Sequence, residues 1–167
     1  MKYHLLSKKT KQLKKAQIVN ICKLKNIHWN YGFKSNLKWF KENVKSNDIH
    51  NLIYHNSKLI GYTLLRIRSF LSGKIKSKYF YFDTLIIDKK YRKKGISIPL
   101  MKLNNEVIVK NNKISFLICQ NRSIEFYKKF GWKKMSKRIF LIMDHKFDKN
   151  GMYFNCKISN KQKYIFF

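Results

Sequence analysis

Six consecutive residues, Arg92-Lys93-Lys94-Gly95-Ile96-Ser97, have the types and spacing to hold a phosphate. A glycine at a strand-to-helix junction lets the backbone come close to a ligand. The first turn of a helix leaves its N–H groups without intrahelical partners, and anions settle on them. Arg92, Lys93 and Lys94 surround that position with positive charge. Pro99 removes one N–H in the opening turn, where the loss matters little.

Such a seat needs a strand in front of it and a helix behind it, and the sequence supplies both. Residues 80–87 are rich in aromatic and β-branched types, and the segment after Gly95 carries Leu100, Leu103 and Val107 at helical spacing. Ahead of these, residues 2–6 predict a strand. Ser7 or Thr10 caps a helix running to about residue 24, with Leu13, Ala16, Ile18, Ile21 and Leu24 on its apolar side. Residues 27–33 form an aromatic connector, and Ser35 caps a second helix over residues 36–44. Residues 51–54 and 59–70 predict two strands joined by a polar turn, His55-Asn56-Ser57-Lys58. Gly61 marks a bulge or a close backbone approach, and residues 69–77 form a basic loop.

Beyond the phosphate segment, the apolar run 114–119 predicts a buried strand. A short helix over 123–130 ends at Gly131, and strands at 132–135 and 139–143 close the domain. Residues 147–167 read as an appendage. Their aromatics (Tyr153, Phe154, Tyr164, Phe166 and Phe167) suit a tail folded over its own sheet or a homodimer interface equally well. The order β-α-α-β-β-β-α-β-α-β-β predicts one α/β (α+β) domain over residues 1–146 and a docked tail over 147–167.

Composition narrows the function. A chain of 167 residues that is 44% hydrophobic builds a core, which excludes a wholly disordered protein. No apolar run reaches membrane length, and the first residues lack the apolar centre of a signal peptide, so a cytoplasmic protein without membrane insertion is expected. Cys22, Cys119 and Cys156 have no ligand spacing, so neither a metal site nor a disulfide framework is expected. The 38 Lys+Arg against 8 Asp+Glu, net +30, fit a polyanion partner such as nucleic acid. They fit compositional drift as well, because lysine outnumbers arginine and is spread along the whole chain rather than gathered on one element.

Two motifs carry a family resemblance. The segment Arg92-Lys93-Lys94-Gly95-Ile96-Ser97 after a strand resembles the acyl-CoA signature Arg/Gln-x-x-Gly-x-Gly/Ala of the GCN5-related N-acetyltransferase (GNAT) superfamily. The segment Gln120-Asn121-Arg122-Ser123-Ile124-Glu125-Phe126-Tyr127-Lys128-Lys129-Phe130-Gly131-Trp132 resembles its later pattern Asn-x-x-Ala-Ile-x-x-Tyr-x-x-x-Gly-Phe. The resemblance covers about residues 2–146. Ser97, Gln120, Ser123 and Trp132 depart from the pattern while keeping small, amide, small and aromatic character respectively.

The resemblance implies a mixed, mostly antiparallel central sheet flanked by helices. It also implies direct transfer of an acetyl group from acetyl-CoA to an amine, without a covalent enzyme intermediate. By that similarity, Lys93, Lys94, Gly95, Ile96 and Ser97 hold the pyrophosphate with Arg92 adding charge, and the main chain of Leu85, Ile86 and Ile87 fixes the acetyl carbonyl. Gln120, Ser123 and Tyr127 lie along the rest of the cofactor. Tyr127 is the expected proton donor to the departing thiolate. Asp83, a carboxylate amid apolar and aromatic neighbours, is the expected base, with Asp48, His50 and His28 as weaker candidates. Glu125 is read as a surface charge. His28, Trp29, Tyr31 and Trp39 are expected to wall an acceptor pocket for a small-molecule amine, such as an amino sugar or a nucleotide-linked amine. Aminoacyl-tRNA, a protein amine, and a non-catalytic acyl-CoA- or nucleic-acid-binding module remain the alternatives.

Overall fold

The computed structural model describes residues 2–142, 150–159 and 161–167. It is a mixed α/β fold with a mostly antiparallel open sheet flanked by helices. In chain order the elements are β1 (His4–Lys9), α1 (Lys15–His28), α2 (Phe33–Asn43), β2 (Ile49–His55), β3 (Lys58–Ser72), β4 (Ile75–Ile87), α3 (Ser97–Lys110), β5 (Ser115–Cys119), α4 (Ile124–Lys128), β6 (Lys133–Lys134), β7 (Phe140–Ile142), β8 (Asn150–Phe154) and β9 (Tyr164–Phe166). The chain forms two compact units. The first holds residues 1–66 and 84–104, the second residues 67–83 and 105–167.

In the first unit the strands run β1-β2-β3-β4, with β1, β2 and β3 antiparallel in sequence. One apolar cluster joins Ile21, Cys22 and Leu24 of α1 and Phe40 of α2 to Leu52, Leu59, Tyr62, Leu64 and Ile86 of the strands. A second cluster joins Ile53 and Ile60 to Ile96 and Leu100 at the start of α3. Gly61 belongs to this close approach, since a Cβ there would lie 2.6 Å from Ile53 Cγ2 and 2.8 Å from Ile87 Cδ1. α3 is pinned by three buried polar side chains. Asn51 Nδ2 donates to Thr63 Oγ1 (3.0 Å) and Asn104 Oδ1 (3.1 Å), and Thr63 Oγ1 donates to Asn104 Oδ1 (2.9 Å).

In the second unit β5 pairs antiparallel with β8, which pairs antiparallel with β6. β9 lies between β3, antiparallel to it, and β7, parallel to it. The core is aromatic, built from Phe70, Tyr79, Phe116, Tyr164 and Phe166, with Phe116 stacked on Phe166 at 3.9 Å.

Several sequence expectations change here. α1 starts later, after a 3-10 turn at Thr10–Gln12, and continues to His28, because no breaker intervenes before Asn30. α2 starts at Phe33, with Gly32 as its cap at φ +87, so Ser35 lies inside the helix. The helix expected over 123–130 is a 3-10 turn, Asn121–Ser123, followed by α4. The closing strands shorten to β6 and β7, and Met143 lies outside the described residues. Residues 150–154 and 164–166 are not an appendage. They are strands of the sheet, and β8 covers the full outer edge of β5.

Candidate active site

The phosphate segment lies in the first unit, and its geometry begins at Asp88. The Asp88 carboxylate accepts from Lys90 N (3.0 Å) and caps a 3-10 turn over Lys89–Tyr91. Its other oxygen pairs with Lys58 Nζ at 2.8 Å. Burial works to raise the Asp88 pKa, but the Lys58 hydrogen bond, the Lys90 N–H and the charge of both lysines outweigh it and hold the carboxyl below its ordinary value. The chain then winds through Lys93 at φ +59 and Gly95 at φ +74, left-handed conformations that a glycine adopts without strain. Ile96 is buried in the α3 cluster and anchors the turn, while residues 92–95 are exposed. Among the described residues, the N–H groups of Lys93, Lys94, Gly95 and Ile96 donate to no backbone carbonyl, and Ile98 N donates to Gly95 O (3.0 Å). Successive free N–H groups at a helix start, in alternating backbone conformations, form a concavity suited to a phosphate. The residues present therefore fit the pyrophosphate of an acyl-CoA.

Arg92 also braces the segment. Its Nε donates to Ile87 O (3.1 Å) and its Nη2 to His28 Nδ1 (2.8 Å), tying the segment to the end of β4 and the end of α1. Burial, with the charges of Arg92 and Lys89, lowers the His28 pKa and keeps the ring a neutral acceptor. Arg92 and His28 thus brace the loop together, a pairing that sequence spacing could not reveal because the two lie in separate elements.

Of the expected acceptor wall, His28 and Trp29 meet edge-on with ring centroids 4.5 Å apart. Tyr31 is 73% exposed. Trp29 and Trp39 pack against the α1–α2 cluster, and the Trp39 ring is covered by Lys25 Nζ at 3.4 Å and the Arg66 guanidinium at 5.3 Å. A cavity of about 310 Å³ in this unit is lined by Asn20, Lys23, Leu24, Ile27, Lys58 and Asp88 instead. Two of the weaker base candidates are occupied by the fold. His50 is fully buried, with Nε2 2.9 Å from Thr10 Oγ1 and Nδ1 2.8 Å from Tyr62 Oη. Burial, with the charge of Lys25, pushes its pKa down to about 3. Asp48 is fully buried and accepts from Lys45 N (2.8 Å).

In the second unit the decisive feature is where a ladder stops. β4 and β5 pair in parallel only at Phe80–Ser115 and Tyr81–Phe116. Beyond that point Phe82 and Asp83 on β4, and Leu117 to Cys119 on β5, do not pair with each other. Asp83 is half-buried, on the strand face opposite the buried Phe82. Tyr127 of α4 is half-buried, its ring edge-on to Phe82 (6.0 Å, 83°) and near Trp132 (6.2 Å). Its hydroxyl makes no hydrogen bond among the described residues. Burial above all, and Cys119 beside it, push the phenol well above its ordinary value. Burial makes this phenol a weaker acid, and what equips it to give a proton is its unengaged O–H.

The other residues expected along the cofactor, Gln120 and Ser123, lie just before this helix. Gln120 is exposed and caps the 3-10 turn, its carbonyl accepting from Ser123 N (2.9 Å), and Ser123 is the cap residue of α4. Glu125 pairs with Lys128 at 2.8 Å on the surface, as expected. Among the described residues no cluster of three His, Cys, Asp or Glu could hold a metal, and no helix is long and apolar enough to cross a membrane.

Known proteins agree with this geometry at the level of fold. Escherichia coli ElaA superposes with a TM-score of 0.68 at 15% identity, covering 91% of this chain and 99% of that one. An aminoglycoside 6'-N-acetyltransferase complexed with coenzyme A gives a TM-score of 0.64 at 14% identity, covering 89% and 94%. PaiA N-acetyltransferase from Thermoplasma acidophilum, in complex with coenzyme A, gives 0.60 at 14% identity, covering 92% and 98%. No curated protein sequence matches significantly. The model of the acetyltransferase (GNAT) domain matches residues 18–140. With most of its length under that model, the phosphate loop formed and the ladder between β4 and β5 open, the chain belongs to the GNAT acetyltransferase family.

Proposed function

We propose that this GNAT acetyltransferase moves an acetyl group from acetyl-CoA directly to a primary amine of a small molecule. The observation that carries the proposal is Tyr127, whose hydroxyl makes no hydrogen bond among the described residues and whose ring lies edge-on to Phe82, where the pairing of β4 with β5 stops. Acetyl-CoA, when bound, supplies the acetyl group that passes to the amine nitrogen, and a thiolate is left behind. Tyr127 Oη donates its proton to that sulfur. Asp83 takes the proton released by the amine, so the proton count balances. The N–H groups of Lys93 to Ile96 hold the pyrophosphate, Ser97 opens the helix behind it, and Arg92 with His28 keeps the loop in place. The main chain of Leu85 to Ile87 orients the acetyl carbonyl, and Gln120 and Ser123 border the cofactor arm.

The test is release of free thiol from acetyl-CoA across a panel of primary amines, including amino sugars, with the products weighed by mass spectrometry. At least one amine should raise thiol release well above background hydrolysis. A panel that never does so would overturn the small-molecule reading. Tyr127→Phe and Asp83→Asn should each lower kcat by about 100-fold or more, and normal turnover in both would remove their assigned roles.

The charge favours a second reading. Lys89, Lys90, Lys93 and Lys94 are all exposed around the phosphate segment, on a chain of net charge +30. Such a surface would dock tRNA and offer its aminoacyl amine as the acceptor. Acetylation of aminoacyl-tRNA with a steep salt dependence, and none of free amines, would select it.

A further inference from the structure

We propose that Asn105 is a positioning residue for Tyr127, acting through Trp132 and the turn that closes α4. The proposal rests on Tyr127 being the proton donor. Asn105 lies on α3, where asparagine is a poor helix former and gains nothing locally. Its amide is engaged at both ends. Nδ2 donates to Phe130 O (2.8 Å) and Oδ1 accepts from Trp132 Nε1–H (3.1 Å).

The two residues it holds flank Gly131, which turns the chain at φ +81. The N–H groups of those same two residues, Phe130 and Trp132, donate to Tyr127 O at 3.0 and 3.3 Å. The clamp on the turn therefore fixes the Tyr127 backbone. It also fixes the ring. Trp132 is 1% exposed and packs against Phe82 (5.6 Å), Phe154 (5.4 Å) and Tyr127 (6.2 Å), and the only polar atom of its side chain is the one bound to Asn105. Asn105 makes no hydrogen bond to Tyr127 itself. It sets the indole that walls one side of the phenol, and Phe82 walls another.

Without the clamp the indole loses its anchor, the turn around Gly131 loosens, and more of the phenol meets water. The experiment compares wild type, Asn105→Ala, Tyr127→Phe and the double variant as full chains. Tyrosinate absorbance is followed as pH rises, and each chain is subtracted from its Tyr127→Phe counterpart to isolate Tyr127 among the other tyrosines. In wild type Tyr127 ionises above the ordinary phenol range. In Asn105→Ala its ionisation falls by about one pH unit or more, and the Kd for CoA stays within about twofold. An unchanged Tyr127 titration overturns the proposal. Trp132→Phe keeps an aromatic ring but removes the Nε1–H, and a smaller shift in the same direction supports the assignment should Asn105→Ala fail to fold. Thiol release from acetyl-CoA separates the two levels. If Tyr127→Phe turns over like wild type, the proton-donor reading fails. If Tyr127→Phe is slow but Asn105→Ala slows it further in the double variant, Asn105 does not act through Tyr127.

Discussion

Two aromatic hydroxyls, one in each unit, meet opposite fates. Tyr62 of the first unit is fully buried, its Oη 2.8 Å from His50 Nδ1, and the ring of His50 continues to Thr10 Oγ1 at 2.9 Å. The polar atoms of this chain end on one another, and the rings of Phe40, His50 and Tyr62 stack beside it. Tyr127 of the second unit is walled by Phe82, Phe126 and Trp132 and has no hydrogen bond at its oxygen among the described residues. A fully buried hydroxyl needs a partner such as the one Tyr62 has, whereas the half-buried Tyr127 can leave its O–H unengaged. The first arrangement holds strands and helices together. The second keeps a proton available.

That contrast can be broken most sharply at Tyr127. Removing its oxygen with Tyr127→Phe should cut kcat by about 100-fold or more while leaving the melting temperature near that of wild type. A large loss of stability with little loss of rate would put Tyr127 in the same class as Tyr62. The next effect is on stability. His50 has its pKa lowered to about 3, so on acidification the unfolded chain takes up a proton at this position before the folded one does. Stability should therefore fall as pH drops below the ordinary histidine range, by about 2 kcal/mol between pH 7 and pH 5 from this group alone. Denaturant midpoints at the two pH values measure it, and His50→Gln should flatten the difference. The smallest effect is expected at Tyr62→Phe. It leaves one buried ring nitrogen short of a partner, at about 1–2 kcal/mol of stability. Its kcat should stay within about twofold of wild type, against the hundredfold scale expected at Tyr127.

The sequence was most legible where local signals coincided. The strand, the Gly95 turn and the helix behind it agree in periodicity and turn chemistry, and the structure forms them where expected. It was least legible where tertiary neighbours overrode local preference. Residues 150–154, Asn-Gly-Met-Tyr-Phe, fall in the segment read as a docked tail, yet they form β8. Gly151 is accepted in that strand because Phe116 and Phe140 fill its space, leaving an added Cβ only 2.8 Å from either ring. The aromatics at 28–39 looked like a pocket wall, and nothing local to them could show that Lys25 and Arg66 cover Trp39 or that His28 bonds Arg92. The open stretch between β4 and β5 left no local trace either, since it is the absence of a pairing rather than the presence of a residue type.

The late arrival of β8 bears on how the chain is made. β5 is apolar, Ser-Phe-Leu-Ile-Cys, and its outer edge is covered only when the residues of β8 pair along all of it. On a ribosome, β5 emerges well before β8, and that interval lasts on the order of seconds at ordinary elongation rates. Throughout it, an unpaired hydrophobic edge offers itself to other nascent chains. A delay placed once β5 has left the ribosome and before β8 has done so should therefore lower soluble yield more than the same delay after β8 has emerged.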